Sequence, residues 1–472
     1  MAVTQEKEIE SLRIPFIGNI TNRAIDQTKD QRFVNCYFDL ITSAEGVKNY
    51  WMVKRPGYAV QSSPSAAATG RGCYSWEGSL YSVWGTKLYK DTTDSGITMT
   101  TSTGLVKIEP TRPGAGTPKL VFSDGVKIFT VTTGGTWATV TTNVPANTRD
   151  FVYLDGYGFV MKDTGIIYHH DLDDPATWDT SKNITMMMGN QTGVGLARQG
   201  NYVLGFSRGH QQSFYDAANS AGSVLTNVEQ SYRAIGCAAN DTIAFDEEEV
   251  IWVTQSPTGG FAVAAMKNSG EPKIISTPGI ERMLRNEGSS ITSAFANVIR
   301  VAGHKFYVLD LASASRTLVY DFVTELWTEW EHTDGTKFPF VAFTQHNNAL
   351  IGQHATNGSL YTISEATYQD AGANFTVLGR FGRQDGGDTR RKFIKSAELL
   401  GDIQSSTTNV SLQYSDDDYV TLSTARTMDM SQPRTLTPPM GNYRRRVWQV
   451  EYAGANPLRL EGLQLQLRKG LD

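Results

Sequence analysis

The 472-residue chain is poor in cysteine, proline and charge. Its three cysteines, Cys36, Cys73 and Cys237, are odd in number, far apart and without any C-x-x-C pair. That argues against a disulfide framework and a structural zinc site, and for reduced, buried thiols in a protein assembled in a cytoplasm. Prolines number only 16 beside 44 glycines, while apolar residues reach 40%, so a collagen-like or disordered chain is excluded and sizeable cores are available. Charged residues are 19%, with 43 Lys+Arg against 48 Asp+Glu, a net of −5. A strongly basic, free-standing DNA binder is therefore excluded. No apolar run approaches the ~18 residues of a membrane span. The stretch Met1–Glu10 lacks the basic and apolar regions of a signal peptide, so no secretory leader is expected. Low charge fits a chain of many short strands and turns, or one with large buried interfaces.

What is present is a recurring hairpin: a turn glycine or asparagine, a short alternating strand rich in Tyr, Phe, Val and Leu, then a second strand. Copies begin at Trp76-Glu77-Gly78, Ser123-Asp124-Gly125, Leu154-Asp155-Gly156, Gly200-Asn201, Glu249-Val250-Ile251-Trp252, Gly303-His304 and Asn347-Asn348. Period-two alternation between turn residues means half-buried antiparallel strands. Recurrence at roughly 45 residues is the spacing of a four-stranded propeller blade. One blade cannot bury both faces of its sheet, so blades stack around an axis. The expected fold is all-β: a β-propeller of six or seven blades over residues 51–373, with an additional C-terminal β-sandwich over 374–472. Consecutive β-sandwiches are the alternative architecture. One short helix is expected at Pro278–Leu284, where proline and Glu281 suit a helix start. Residues 1–50 read as an extended arm, or as strands that complete another domain.

In the C-terminal part, strands are expected at Phe393–Leu400, Val410–Tyr414, Arg445–Tyr452 and Leu458–Leu467, with a long loop around Asp385–Asp388. Gln464, Gln466 and Arg468 alternate with Leu463, Leu465 and Leu467, which puts one face on a core and the other toward water or a partner. Charge divides at the same boundary. Residues 374–472 hold 14 Lys+Arg and 11 Asp+Glu, a net of +3, and the remainder carries −8. The basic residues cluster as Arg380, Arg383, Arg390, Arg391, Lys392 and Lys395, then Arg444, Arg445 and Arg446. These nine are the candidate contacts to DNA phosphates, which need only Lys and Arg along a surface, or to carboxylates of a partner subunit.

Signals for catalysis are weak. Asp246–Glu249 and Asp416–Asp418 read as turns, although Tyr414-Ser415-Asp416-Asp417-Asp418-Tyr419 resembles the Asp-box turn of sialidases without its Gly-x-Thr-Trp ending. His169-His170-Asp171 with Asp173 and Asp174 contains metal-ligand residue types, but the segment Asp173–Trp178 reads better as a capped turn that buries Trp178. Phosphate loops, G-x-S-x-G elbows and HExxH are missing. No catalytic residue, metal or cofactor is assigned.

Several segments together resemble a known family. They are Gly236-Cys237-Ala238-Ala239 with Asp246 and Val250-Ile251-Trp252-Val253, and Pro272-Lys273-Ile274-Ile275-Ser276-Thr277-Pro278-Gly279-Ile280-Glu281. Leu154–Tyr157, Asp174–Trp178, Gly303–Leu309, Tyr320-Asp321, Leu326–Glu329, Tyr414–Asp417 and Gly441–Val447 fit in the same order. This set is similar to the packaged-DNA stabilisation, or tail hub (nozzle), proteins of short-tailed bacteriophages. The N-terminal Arg32–Tyr37 and Lys54–Gly57 match loosely, and Asp418 stands where the family often has glycine. The resemblance implies a structural virion protein of the phage tail, assembled in the bacterial cytoplasm and not an enzyme. It implies a homo-hexameric ring below the portal and its head-to-tail adaptor ring. Such a ring extends the DNA channel, retains packaged double-stranded DNA and anchors a tail needle, fibres or spikes. The C-terminal sandwich is then the adaptor- or platform-facing part. A mostly acidic or polar lumen follows from the need for duplex to slide. A carbohydrate-binding or depolymerising tail propeller, and a scaffold propeller of cellular origin, are the competing readings.

Overall fold

Six four-stranded antiparallel sheets and the opening strands of a nine-stranded sheet follow one another along the chain, and each of the seven sequence hairpins contributes to a different one of them. The computed structural model describes residues 9–17, 31–42, 48–187, 191–255, 260–268 and 270–470. The chain forms two compact units. The first gathers residues 1–59, 318–337 and 364–472; the second holds 60–317 and 338–363.

The second unit is a seven-bladed propeller. Its innermost strands are Gly70–Trp76, Lys107–Pro110, Thr148–Leu154, Gly193–Gln199, Ala244–Phe245, Phe295–Val301 and Phe340–His346. Each lies against the next, and the last lies against the first, so the ring is closed. Blade faces are apolar on both sides because each sheet packs against two neighbours. Tyr81, Val83 and Leu88 of the first blade meet Leu120, Phe122 and Val131 of the second, and Leu204, Phe206 and Cys237 meet Val250, Trp252 and Met266. Closure uses both ends of the unit. Cys73 and Trp84 pack on Ile351 and Leu360, and Gln353 donates to the Val83 carbonyl (2.9 Å). The strand Gly57–Ser62 completes the last blade, where Thr362 donates to Gln61 (2.7 Å). The expected helix is present at Pro278–Glu287; Thr277 caps it by accepting from the Ile280 amide.

The first unit is a β-sandwich. One sheet runs in the order Cys36–Thr42, Lys48–Lys54, Arg459–Lys469, Lys392–Gly401, Asn442–Tyr443, with Glu10–Pro15 also paired to Arg459–Lys469. Its core joins Leu463, Leu465, Leu467, Ile394 and Leu399 to Val377, Val410, Leu412, Trp448 and Val450 of the facing strands. Ile14, Phe16, Phe38 and Met52 belong to the same core. The N-terminal segment is therefore not only an arm: its strands complete the sandwich, which the C-terminal stretch does not build alone. By these units the charge evens out to about −2 and −3, because the acidic segment 318–337 joins the basic C-terminal residues. The −8/+3 division is a property of the chain order and not of the folded units.

On the propeller axis, the innermost strands enclose a cavity of about 290 Å³, lined among others by Lys107, Glu109, Asp150, Asp241 and Asn297. Burial raises the Glu109 carboxyl to about 7 in spite of Arg198, Arg112 and Lys107 nearby. Between about pH 4.5 and 7 the native state thus holds a proton that the unfolded chain has lost. Stability from this group is full below that window and lost as pH rises through 7. Glu109→Gln is expected to raise the melting temperature by a few degrees at pH 8, with the difference vanishing toward pH 4.5; a pH series of thermal melts checks it.

Candidate functional site

Basic residues of the sandwich gather where Lys392–Gly401 begins. The loop before that strand is closed by a turn in which Asp385 accepts from the Gly387 amide and Asp388 from the Arg390 amide. It is joined to the segment before Val447–Ala453 through paired amides and carbonyls of Gln384 and Arg446, both 2.9 Å. Three of the nine candidate contacts are turned inward at this junction. Lys392 is fully buried; its ammonium donates to the carbonyls of Asp388 (2.5 Å), Arg390 (2.9 Å) and Arg444 (3.2 Å). Burial lowers its pKa. Arg446 is 2% exposed, forms a bidentate pair with Asp416 (2.7 and 2.8 Å), and has its guanidinium 3.6 Å from the Tyr414 ring centre. Arg380 is half-buried, donating to Gln449 (2.8 Å) and lying over Tyr419. Lys392 and Arg446 hold the scaffold together with their charges turned inward, while Arg380 keeps part of its surface exposed.

The other six, Arg383, Arg390, Arg391, Lys395, Arg444 and Arg445, are exposed. Arg390 pairs with Asp388 (2.6 Å), Arg444 donates to the Thr389 carbonyl (2.8 Å), and Arg445 lies 3.9 Å from Asp418. Arg444–Arg446 do not alternate as a strand would, because the chain bends at 444 and 445 and the strand starts only at Val447. The outer face of the sheet does alternate: Arg391, Phe393 and Lys395 point out, Lys392 and Ile394 point in. Phe393 stands opposite Arg468 across the strand pair. Phe393, 46% exposed, is the member that charge counting missed; an aromatic between two basic residues at period two was its signal. Leu463, Leu465 and Leu467 are buried, as the alternation of that strand predicts.

Lys392→Met is expected to cost about 2 kcal/mol, because three partly buried carbonyls lose their charged donor. Trypsin should then cut after Arg390 or Arg391 faster than in the parent, which a timed digest reads directly.

The remaining motifs are occupied by structural contacts. Asp417 accepts from Ser415 and Thr421, which pull its carboxyl down to about 2, and Asp416 holds Arg446. Asp246 pairs with Lys305 (2.7 Å) and Arg300 (2.9 Å). His170 accepts from the Gly158 amide (2.7 Å) through Nε2 and donates through Nδ1 to the Asp171 carbonyl (2.6 Å). Burial lowers its pKa to about 4. Trp178 is buried, as expected, and donates to the Pro175 carbonyl, but the segment is not a capped turn: Asp174–Thr185 is an irregularly paired strand, within which Asp174 accepts from the Ala176 amide and the Thr177 hydroxyl. Among the described residues, no group of three or more His, Cys, Asp or Glu is placed to hold a metal ion.

Comparison with known proteins gives the following. A streptogramin B lyase structure aligns with a TM-score of 0.40 at 9% identity, over 70% of this chain and 98% of that one. The computationally designed Ika8 protein aligns at 0.39 and 11%, over 66% and 99%. Among curated protein sequences there is no match. The family described as Bacteriophage P22 Gp10, beta-propeller, matches residues 18–368. That match covers most of the chain and takes in nearly the whole seven-bladed ring; the protein belongs to this P22 Gp10-like phage stabilisation family.

Proposed function

We propose that this protein is the tail hub, or nozzle, subunit of a short-tailed phage: a non-enzymatic virion component that forms a homo-hexameric ring below the head-to-tail adaptor. In this reading the ring extends the DNA channel, retains packaged double-stranded DNA and anchors needle, fibre or spike proteins. The observation that carries it is the family match over residues 18–368. The fold is consistent with the role. A closed seven-bladed ring is a stiff module whose exposed loops can meet several neighbours, and ring symmetry repeats each contact. The unit of residues 60–317 and 338–363, within the expected 51–373, supplies that module, and residues 374–472 the adaptor- or platform-facing side. Arg383, Arg390, Arg391, Lys395, Arg444 and Arg445 are the contacts offered to DNA or to a partner subunit.

Electron microscopy of the purified virion tail tests the proposal. The expected result is a six-fold ring of this chain directly below the adaptor. Its absence from virions, or its presence only at a fibre tip, refutes the reading.

A further inference from the structure

The outer face of the sandwich sheet carries Arg391, Phe393 and Lys395 in one row, with Arg468 beside Phe393 on the neighbouring strand. Arg383, Arg444 and Arg445 are exposed on the loop and bend attached to it. Buried Lys392 fixes this arrangement by binding carbonyls on both sides of the junction. An exposed phenylalanine flanked by Arg391, Lys395 and Arg468, with Asn442 on its remaining side, is the composition of a protein-binding surface: an aromatic anchor with a polar, mostly basic rim. Duplex phosphates would meet the charges but offer nothing apolar to the ring.

We propose that this surface docks an acidic partner protein other than a second copy of the chain, with Phe393 seated in an apolar socket and the basic rim facing carboxylates. The argument against a second copy is that most carboxylates of this chain's own acidic runs already have a basic partner. Asp246 and Glu249 meet Lys305, Glu248 lies 3.6 Å from Lys267, Asp171 meets Lys182 and Asp174 meets Lys119. The proposal rests on the nozzle reading for the place where the partner is found, and adds to it the partner's chemistry and the anchoring residue.

The test replaces Phe393 with the photo-crosslinker p-benzoylphenylalanine in a plasmid copy that complements a phage lacking the gene. Illuminated virions are then analysed. The expected product is a protease-sensitive adduct to a different protein, mapped to a surface rich in Asp and Glu. A nuclease-sensitive adduct, an adduct of two copies of this chain, or no adduct overturns the proposal. In parallel, Phe393→Ser and the triple change R391E, K395E and R468E should each lower incorporation into particles at least tenfold while the purified proteins melt like the parent. Incorporation equal to the parent overturns it. If the unmodified protein is missing from virions, the nozzle reading fails first and takes this surface with it; if it is present without the adduct, only the docking surface fails.

Discussion

Arg55→Ala should destabilise the sandwich unit by about 4 kcal/mol, since truncating one partner of a buried ion pair leaves the other charge without compensation. Neither side chain of the pair Arg55 and Asp370 is exposed to solvent. The guanidinium donates to both Asp370 oxygens (2.9 and 2.7 Å), to the Asn35 side chain (2.8 Å) and to the carbonyls of Pro56 (3.0 Å) and Glu331 (2.9 Å). Its flat face lies 3.9 Å from the centre of the Phe375 ring. All the donors are used, and they join the N-terminal strands to two later stretches of chain within the same unit. Gly57 adds to the constraint: a Cβ there would stand 2.2 Å from the Gln369 carbonyl oxygen, so the backbones touch only because residue 57 has no side chain. Arg55→Lys is expected to recover only part of the loss, because an ammonium cannot reproduce the planar fork. The double change R55M and D370N should be milder than Arg55→Ala alone, since no charge is left buried. Urea titration of the three variants checks the order. If Arg55→Ala and the double variant unfold at the same midpoint, the uncompensated carboxylate is not the cause.

Lys107→Met is expected to cost about 3 kcal/mol in the propeller unit on the same reasoning. The Lys107 ammonium sits between Asp150 (2.8 Å) and Asp241 (3.1 Å) beside the axis, and the two carboxylates outweigh its burial and raise its pKa. Asp150 also accepts from the Leu196 amide (2.8 Å), so the group ties the second, third and fourth blades to the short helical turn Asn240–Thr242 that precedes the fifth. The fit is tight. Asp150 is in the left-handed region (φ 51°), and a Cβ on Gly195 would lie 2.4 Å from its carboxylate. Without the lysine, two acidic groups face each other with burial already raising the pKa of Asp150. The variant should therefore recover stability as pH falls and Asp150 takes up a proton. Adding Asp150→Asn to Lys107→Met should recover part of it at neutral pH. Denaturation midpoints at pH 5 and 8 decide the matter: a loss independent of pH would show that packing, not charge, holds this group.

The repeat was legible because its physics is local. Turn glycines and period-two alternation are set within a dozen residues, and each of the seven copies marked its blade. The same holds for the helix at Pro278, announced by Pro278 and Glu281, and for the strands of the C-terminal stretch. The sandwich was only half legible, because Ile14, Phe38 and Met52 reach its core from segments whose partners lie about 400 positions away. No local pattern in Lys54-Arg55-Pro56-Gly57 says that Arg55 will find Asp370. The basic clusters show a further limit. Sequence groups Lys392 and Arg446 with their exposed neighbours, yet their backbone positions turn them inward, where carbonyls and Asp416 await them. Lys107, Glu109 and Asp150 carry no local signal: they are isolated charges on the separate strands Lys107–Pro110 and Thr148–Leu154, brought together only by the ring.

The ring's closure also constrains the order of events during synthesis. Strand Gly57–Ser62 waits for a partner, Thr362, that is 301 residues further along. Closing a loop of that length costs conformational entropy before any contact returns it, and folds dominated by such distant pairings form slowly. During translation the early blades emerge as an open arc with an apolar face at each end, while the clasp strand is already out and unmatched. Completion can follow only once Leu360–Ser364 has left the ribosome. A chain arrested before that point would carry nearly every blade and still lack a closed ring, so premature termination or a cut in the clasp should feed aggregation and not a smaller working propeller.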